Sequence, residues 1–205
     1  MEVPGNSSAH RNSHMVFLYG TLKRMEPNHF YLCSPEKYGV AKFRAVGKTK
    51  EKYPLVIATK YNIPFLLDKE GVGHKIYGEI YEVDNRMLAA LDALENHPNF
   101  YLRRRETILS NSSPTAASAY SDETRIQCLQ CWTYFLPAFR PDLLEMPMLE
   151  NYSSQGEHGL KRILCYLEQE ACWVGGQSDM NLRFREDETP TIIQRIMRDL
   201  TCRNC

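Results

Sequence analysis

Two groups of residues in this chain have the types and spacing for acid/base chemistry on a small polar molecule. The first is Tyr19-Gly20-Thr21-Leu22, which follows directly on the apolar run Val16-Phe17-Leu18. An apolar run without polar alternation reads as a strand buried on both faces, and Gly20 reads as the residue that lets the chain leave it by a turn closed to other residues. A tight loop at the end of a buried strand can turn several backbone N–H groups toward one point. Such a nest binds a carboxylate or a developing oxyanion without a charged side chain. An ordinary strand-to-turn junction looks the same in sequence, so the loop by itself does not define a site.

The second group lies on Asp84 to Glu95. Asp84 is a good N-cap, Ala and Leu fill the interior, and His97-Pro98 stops the helix. At about 100° per residue, Glu95 falls roughly 40° from Leu91, inside the apolar stripe of Met87, Leu88, Leu91 and Leu94. A carboxylate facing a core is rare unless paired or functional, because desolvation disfavours the ion and lifts its pKa above the reference of about 4.3. That is how a general acid/base near neutrality is made. The alternative is a helix-end glutamate turned to solvent or paired with Arg103, Arg104 or Arg105.

Other candidates compete with these. Glu79 shares a strand face with Tyr77, Tyr81 and Val83 by alternation, which makes it either the substitute base or the structural partner of an arginine. Tyr101 heads a strand with Arg103 and Arg105 on its face. Its hydroxyl can bond a substrate or the base, although an aromatic core residue is the commoner outcome. Among seven cysteines, Cys128-x-x-Cys131 and Cys202-x-x-Cys205 have the spacing of a Cys₄ zinc site. Yet Cys128 and Cys131 lie in Ile126 to Phe135, which reads as a strand, where residues three apart point to opposite faces. No metal is expected there, and His29, His74, His97 and His158 show no metal-ligand spacing. Cys33, Cys165 and Cys172 read as small core or surface residues in a reducing compartment.

The elements that must position these residues follow from pattern. Strand-like runs fall at about 15–19, 53–58, 63–67, 75–83, 100–109 and 126–135, with a helix at about 84–96. With 205 residues and 43% hydrophobic content, the chain can bury one full domain core. Lys plus Arg equals Asp plus Glu at 25 each, so charge gives no argument for a nucleic-acid or anionic-membrane partner. No apolar segment approaches the roughly 20 residues of a membrane helix, and the amino terminus is polar, so a cytoplasmic protein is expected.

Taken together, several segments resemble the gamma-glutamyl cyclotransferase superfamily, most closely its gamma-glutamylamine cyclotransferase or AIG2-like branch. They are Tyr19-Gly20-Thr21-Leu22-Lys23-Arg24 with Pro27-Asn28-His29, Tyr53-Pro54-Leu55-Val56-Ile57, Asn62-Ile63-Pro64-Phe65-Leu66-Leu67, Gly78-Glu79-Ile80-Tyr81-Glu82-Val83-Asp84, and Leu91-Asp92-Ala93-Leu94-Glu95 with Tyr101. The resemblance runs from about Met15 to Leu160 and implies an α+β fold, a small mixed β-barrel with packed helices. It also implies that Tyr19, Gly20, Thr21 and Leu22 hold a gamma-glutamyl group and that Glu95 is the acid/base, with Tyr101 and Glu79 in support. The implied reaction is cyclisation of a gamma-glutamyl amine, such as gamma-glutamyl-lysine, to 5-oxoproline with no cofactor. Gamma-glutamyl amino acids and glutathione are the alternative substrates, and a non-catalytic binding or scaffold protein is the alternative function.

Three regions result. Residues 1–14 lack the apolar content to order themselves. Residues 15–161 form the cyclotransferase-like domain, with Ser110 to Thr124 as an expanded surface loop. Residues 162–205 are an extension that is partly helical: Thr189-Pro190 reads as a helix start, and Ile192, Ile193, Ile196, Met197 and Leu200 share one face, while Ile163, Leu164, Leu167 and Val174 suggest a second helix. A helix of that length is marginal alone, so it docks on the core, pairs with a partner or frays.

Overall fold

A computed structural model describes residues 13–59, 61–111, 126–156 and Leu200. Its strands are β1 (Ser13–Leu18), β2 (Ala41–Thr49), β3 (Leu55–Ile57), β4 (Pro64–Leu66), β5 (Tyr77–Asp84), β6 (Leu102–Asn111) and β7 (Ile126–Phe135). The helices are α1 (Pro35–Tyr38) and α2 (Asn85–Leu94), with 3₁₀ turns at His29–Tyr31 and Pro141–Glu145. Five strands close a barrel in the order β1-β5-β2-β6-β7, and β7 returns to pair in parallel with β1 at Val16 and Trp132. Strands β3 and β4 form a separate antiparallel pair. This is the α+β barrel that the resemblance implies.

Strand alternation sorts the core into two clusters. Val16 and Leu18 of β1 pack with Met87, Leu88 and Leu91 of α2 and with Tyr101 and Tyr134. Phe17 and Tyr19 point the other way, toward Ile80, Ile108, Cys131 and Phe135. The first strand is therefore buried on both faces, as its unbroken apolar run requires. In β7 the same alternation leaves Cys128 exposed and Cys131 buried, and burial pushes the Cys131 thiol up to about 12.

Helix α2 begins where Asp84 caps it. One Asp84 oxygen accepts from the Met87 N–H at 2.8 Å, and the other accepts from Val40 at 3.1 Å. Gly39 has φ of 110°, and a Cβ there would lie 2.4 Å from the Met87 nitrogen, so only glycine lets the chain entering β2 lie against the helix start.

The barrel differs from the sequence reading in three places. Strand β2, Ala41 to Thr49, is absent from that reading. Its Lys42, Phe43 and Arg44 are exposed, and a bulge between Phe43 and Ala45 breaks the alternation, so it carries no apolar period. It is a strand because β5 and β6 bond it on both sides. The runs at 53–58 and 63–67 are strands but stand outside the barrel. Tyr101 precedes β6 instead of opening it, and α2 ends at Leu94, so that Glu95 is its C-cap.

Leu200 is buried within the cluster that α2 covers, and its carbonyl accepts from the Arg140 N–H at 3.0 Å. Residues 1–12, most of the Ser110 to Thr124 loop, the rest of the extension, His158 and Cys165, Cys172, Cys202 and Cys205 lie outside the described residues. Among the described residues, no helix is long and apolar enough to cross a membrane.

Candidate active site

Glu95 is placed by the end of α2. Its N–H donates to the Leu91 carbonyl at 2.9 Å, and its own carbonyl accepts from Tyr101 at 3.4 Å. One turn earlier, Asp92 accepts from the Tyr134 hydroxyl at 2.7 Å and faces the Arg103 guanidinium at 3.2 Å. These bonds tie the helix end to β6 and β7 and fix the direction in which Glu95 leaves it.

The Glu95 carboxyl sits among the phenols of Tyr19, Tyr101 and Tyr134. Burial first, and then the Glu95 charge, push the Tyr19 hydroxyl well above its usual range. Tyr101 is raised by burial, by Tyr19 and by Glu95. Tyr134 is raised by burial, by its bond to Asp92 and by the charges of Asp92 and Glu95. All three therefore remain neutral at physiological pH. Burial alone raises Glu95 to about 7. None of the arginines that a surface pairing would use reaches it: Arg103 faces Asp92, Arg104 meets Asp68 at 3.0 Å, and Arg105 donates to the Gln130 carbonyl at 3.2 Å. A carboxyl desolvated without a cation is held near half-ionisation at neutral pH, which suits proton transfer in both directions.

Tyr19 to Leu22 close a compact loop beside this carboxyl. The Tyr19 hydroxyl donates to the Tyr134 carbonyl at 2.8 Å, which fixes the strand end to β7. Thr21 accepts twice from Asn28, at its hydroxyl from the side-chain amide at 2.9 Å and at its carbonyl from the backbone N–H at 2.8 Å. The Lys23 N–H bonds the Gly20 carbonyl at 3.2 Å, and the Leu22 carbonyl lies 3.0 Å from His29 Nδ1. Among the described residues, the N–H groups of Thr21 and Leu22 donate to no backbone carbonyl. The reason for Gly20 differs from the one the sequence suggested. Its φ is not left-handed; instead a Cβ there would lie 3.0 Å from the Pro64 ring, so the glycine serves a close approach of this loop to the start of β4.

Glu79 meets the same loop further along, at Arg24, and does different work. Its carboxylate accepts from the Arg24 Nε at 2.9 Å, the Arg24 N–H at 3.0 Å and the Tyr81 hydroxyl at 2.9 Å. Burial pulls its pKa up, but these bonds outweigh it and hold the group below its usual range. It stays ionised and anchors the loop to β5. Tyr101 is a core aromatic stacked on Phe65, with ring centres 6.3 Å apart and 8° between planes, whose hydroxyl end lies beside Glu95.

Sequence reasoning missed Asp92, Tyr134 and Pro64. Asp92 was legible in principle as the neighbour of Glu95 one helical turn back. Tyr134 and Pro64 come from distant segments, and no local pattern joins them to the site.

The closed barrel thus sets a glycine loop beside a half-buried carboxyl that has no cation partner among the described residues, an arrangement suited to acid/base work on a small molecule. The family model described as gamma-glutamyl cyclotransferase, AIG2-like, matches residues 16–154, and the chain belongs to that family. It is 42% identical over 149 residues to the Homo sapiens gamma-glutamylaminecyclotransferase, covering 72% of this chain and 94% of that protein. The Bos taurus protein of the same name is 41% identical over 146 residues, 71% of this chain and 79% of its own. Among solved structures, an AIG2-like protein from Mus musculus is similar with a TM-score of 0.64 and 39% identity, covering 73% of this chain and 94% of that one.

Proposed function

We propose that this chain is a gamma-glutamylamine cyclotransferase that converts a gamma-glutamyl amine to 5-oxoproline and the free amine. The observation that carries the reading is a Glu95 carboxyl raised to about 7 by burial, with no cation beside it among the described residues and the Tyr19 to Leu22 loop adjacent. The names of the relatives point to the same reaction.

The reaction uses a nucleophile and an electrophile that are already tethered in one substrate, so the protein's task is to fold the glutamyl chain back on itself. Ionised Glu95 takes a proton from the α-ammonium, whose reference pKa is about 8. The freed amine attacks the γ-carbonyl carbon, forming the ring C–N bond and an oxyanion. N–H groups of the Tyr19 to Leu22 loop hold that charge and the glutamyl end. Glu95 then returns its proton to the departing nitrogen as the original amide bond breaks. The ring nitrogen sheds its second proton as the lactam forms, and the released amine carries it away as an ammonium ion, so protons balance and the glutamate ends as it began.

The leaving group we assign is an amine of the lysine type, as in gamma-glutamyl-lysine from crosslinked proteins, and the compartment is the cytoplasm, where free thiols such as Cys33 and Cys128 persist. The test is 5-oxoproline release from gamma-glutamyl-lysine, a gamma-glutamyl amino acid and glutathione measured side by side. Turnover should be greatest with gamma-glutamyl-lysine. Preference for glutathione would overturn the substrate assignment, and no release from any of the three would overturn the activity.

A further inference from the structure

Lys23 is buried, and its ammonium, which makes no ion pair within 4 Å among the described residues, reaches across the molecule to the segment 149–154. Nζ donates to the Asn151 side-chain oxygen at 2.6 Å and to the Tyr152 carbonyl at 2.7 Å. Burying an amine is costly unless its donors find acceptors, and two short bonds take two of its three protons here.

The same segment is fastened on every side. Leu149 donates to the Leu55 carbonyl and Tyr77 to the Glu150 carbonyl, each at 2.8 Å, which seats it on β3 and at the start of β5. Ser154 donates its N–H to Glu26 at 3.0 Å, a second bond to the loop that carries Lys23. On the opposite side, the Tyr152 hydroxyl donates to the Asn62 carbonyl at 2.7 Å, and the Asn62 amide donates to the Ser154 carbonyl at 3.0 Å. Asn62 stands two residues before Pro64, whose ring meets Gly20. The segment thus grips both the loop that carries Gly20 and the turn leading into β4, which touch at the Gly20 and Pro64 contact. Arg24, the next residue after Lys23, is held the other way by Glu79.

We propose that residues 149–154 form a positioning strap for the glutamyl-binding loop, with Lys23 as the positioning residue that joins the two. This rests on the reading of Tyr19 to Leu22 given above. Without the strap, the loop remains attached to β5 through Arg24 but loses the tie that sets its depth against Pro64, so its N–H groups no longer share a fixed geometry with Glu95. Ground-state grip on the glutamyl group should suffer more than proton transfer.

The experiment combines hydrogen exchange of the loop amides in the free protein with steady-state 5-oxoproline kinetics for Lys23→Met, Asn151→Ala and Asn151→Asp in the full chain. Lys23→Met keeps the aliphatic stem and removes the donors. It should speed exchange at residues 20–28 at least about tenfold while the amides of β1 and β5 hold their rates. It should also raise KM about tenfold with kcat within about threefold of wild type. Asn151→Asp keeps the acceptor and should hold both readouts near wild type, whereas Asn151→Ala should move them part of the way. Asn151 is exposed, so its variants carry the test if Lys23→Met fails to fold. Unchanged loop exchange in Asn151→Ala and in folded Lys23→Met would overturn the strap whatever the activity does. Retained turnover in Glu95→Gln would instead count against the reading of the site and leave the exchange result standing.

Discussion

Glu79 on β5 and Glu95 at the end of α2 are two largely buried carboxylates that meet one loop, Glu79 at Arg24 and Glu95 near Tyr19, and their surroundings drive their pKa values apart. Around Glu79 the chain supplies a guanidinium, a backbone N–H and a phenol, all donating to the ionised form. Around Glu95 it supplies burial and three neutral phenols, with the nearby arginines engaged elsewhere. Desolvation acts on both, and hydrogen bonding decides which one it governs. The lesson is that burial marks a carboxylate as candidate base only where no cation answers it. Glu79 anchors the loop, and Glu95 is the carboxyl the proposed reaction calls on.

The largest effect should come from removing that proton trade. Glu95→Gln keeps shape and volume, and its 5-oxoproline turnover at saturating substrate should fall by about 10² to 10⁴ with the cooperative melt preserved. Near wild-type turnover in the folded variant would transfer the role to another group.

The same substitution should change how stability depends on pH. Between the unfolded pKa near 4.5 and the folded value of about 7, the folded state binds the Glu95 proton more tightly. Stability from this group is therefore full below about pH 4.5 and declines until about pH 7, by up to roughly 3 kcal/mol. Denaturant melts of Glu95→Gln should lack that decline, leaving the variant more stable than wild type at pH 8. Glu79 has the opposite sign: its lowered pKa gives stability that is present above its unfolded value and lost on acidification.

Ending the chain after Lys161 should leave the barrel folded with a single cooperative transition. It removes the buried Leu200, so unfolding free energy should drop by about 1.5–3 kcal/mol. Loss of the transition altogether would make the extension part of the core.

Glu79→Gln is the smallest expected perturbation. Arg24 is about half exposed, so the lost ion pair should cost only about 1 kcal/mol. Turnover should fall about tenfold or less through a looser loop, far short of Glu95→Gln. A larger loss than in Glu95→Gln would reverse the roles assigned to the two carboxylates.

How much of this was legible beforehand depends on whether the information is local. Val16 to Tyr19 announced a strand buried on both faces, and Asp84 with Leu91 and Glu95 announced a capped helix carrying a carboxylate toward the core. Both signals reside in a few adjacent residues. Strand β2 was illegible because its stability comes from hydrogen bonds to β5 and β6, while Lys42, Phe43, Arg44 and Val46 face water beside a bulge. The close approach at Gly20 was illegible as well, since the Pro64 ring that a Cβ there would crowd arrives from the start of β4. The alternative pairing of Glu95 with Arg103 could not be settled either. Only the fold shows Arg103 turned to Asp92.

The central claim is that burial without a cation sets Glu95 near neutrality, and its most direct test is a carboxyl-carbon NMR titration of the free protein. With glutamate labelled at Cδ and Glu95→Gln used to assign the resonance, the account predicts an apparent pKa near 7, matched by the acidic limb of kcat/KM. A midpoint near 4.5, with the acidic limb following another group, would contradict it.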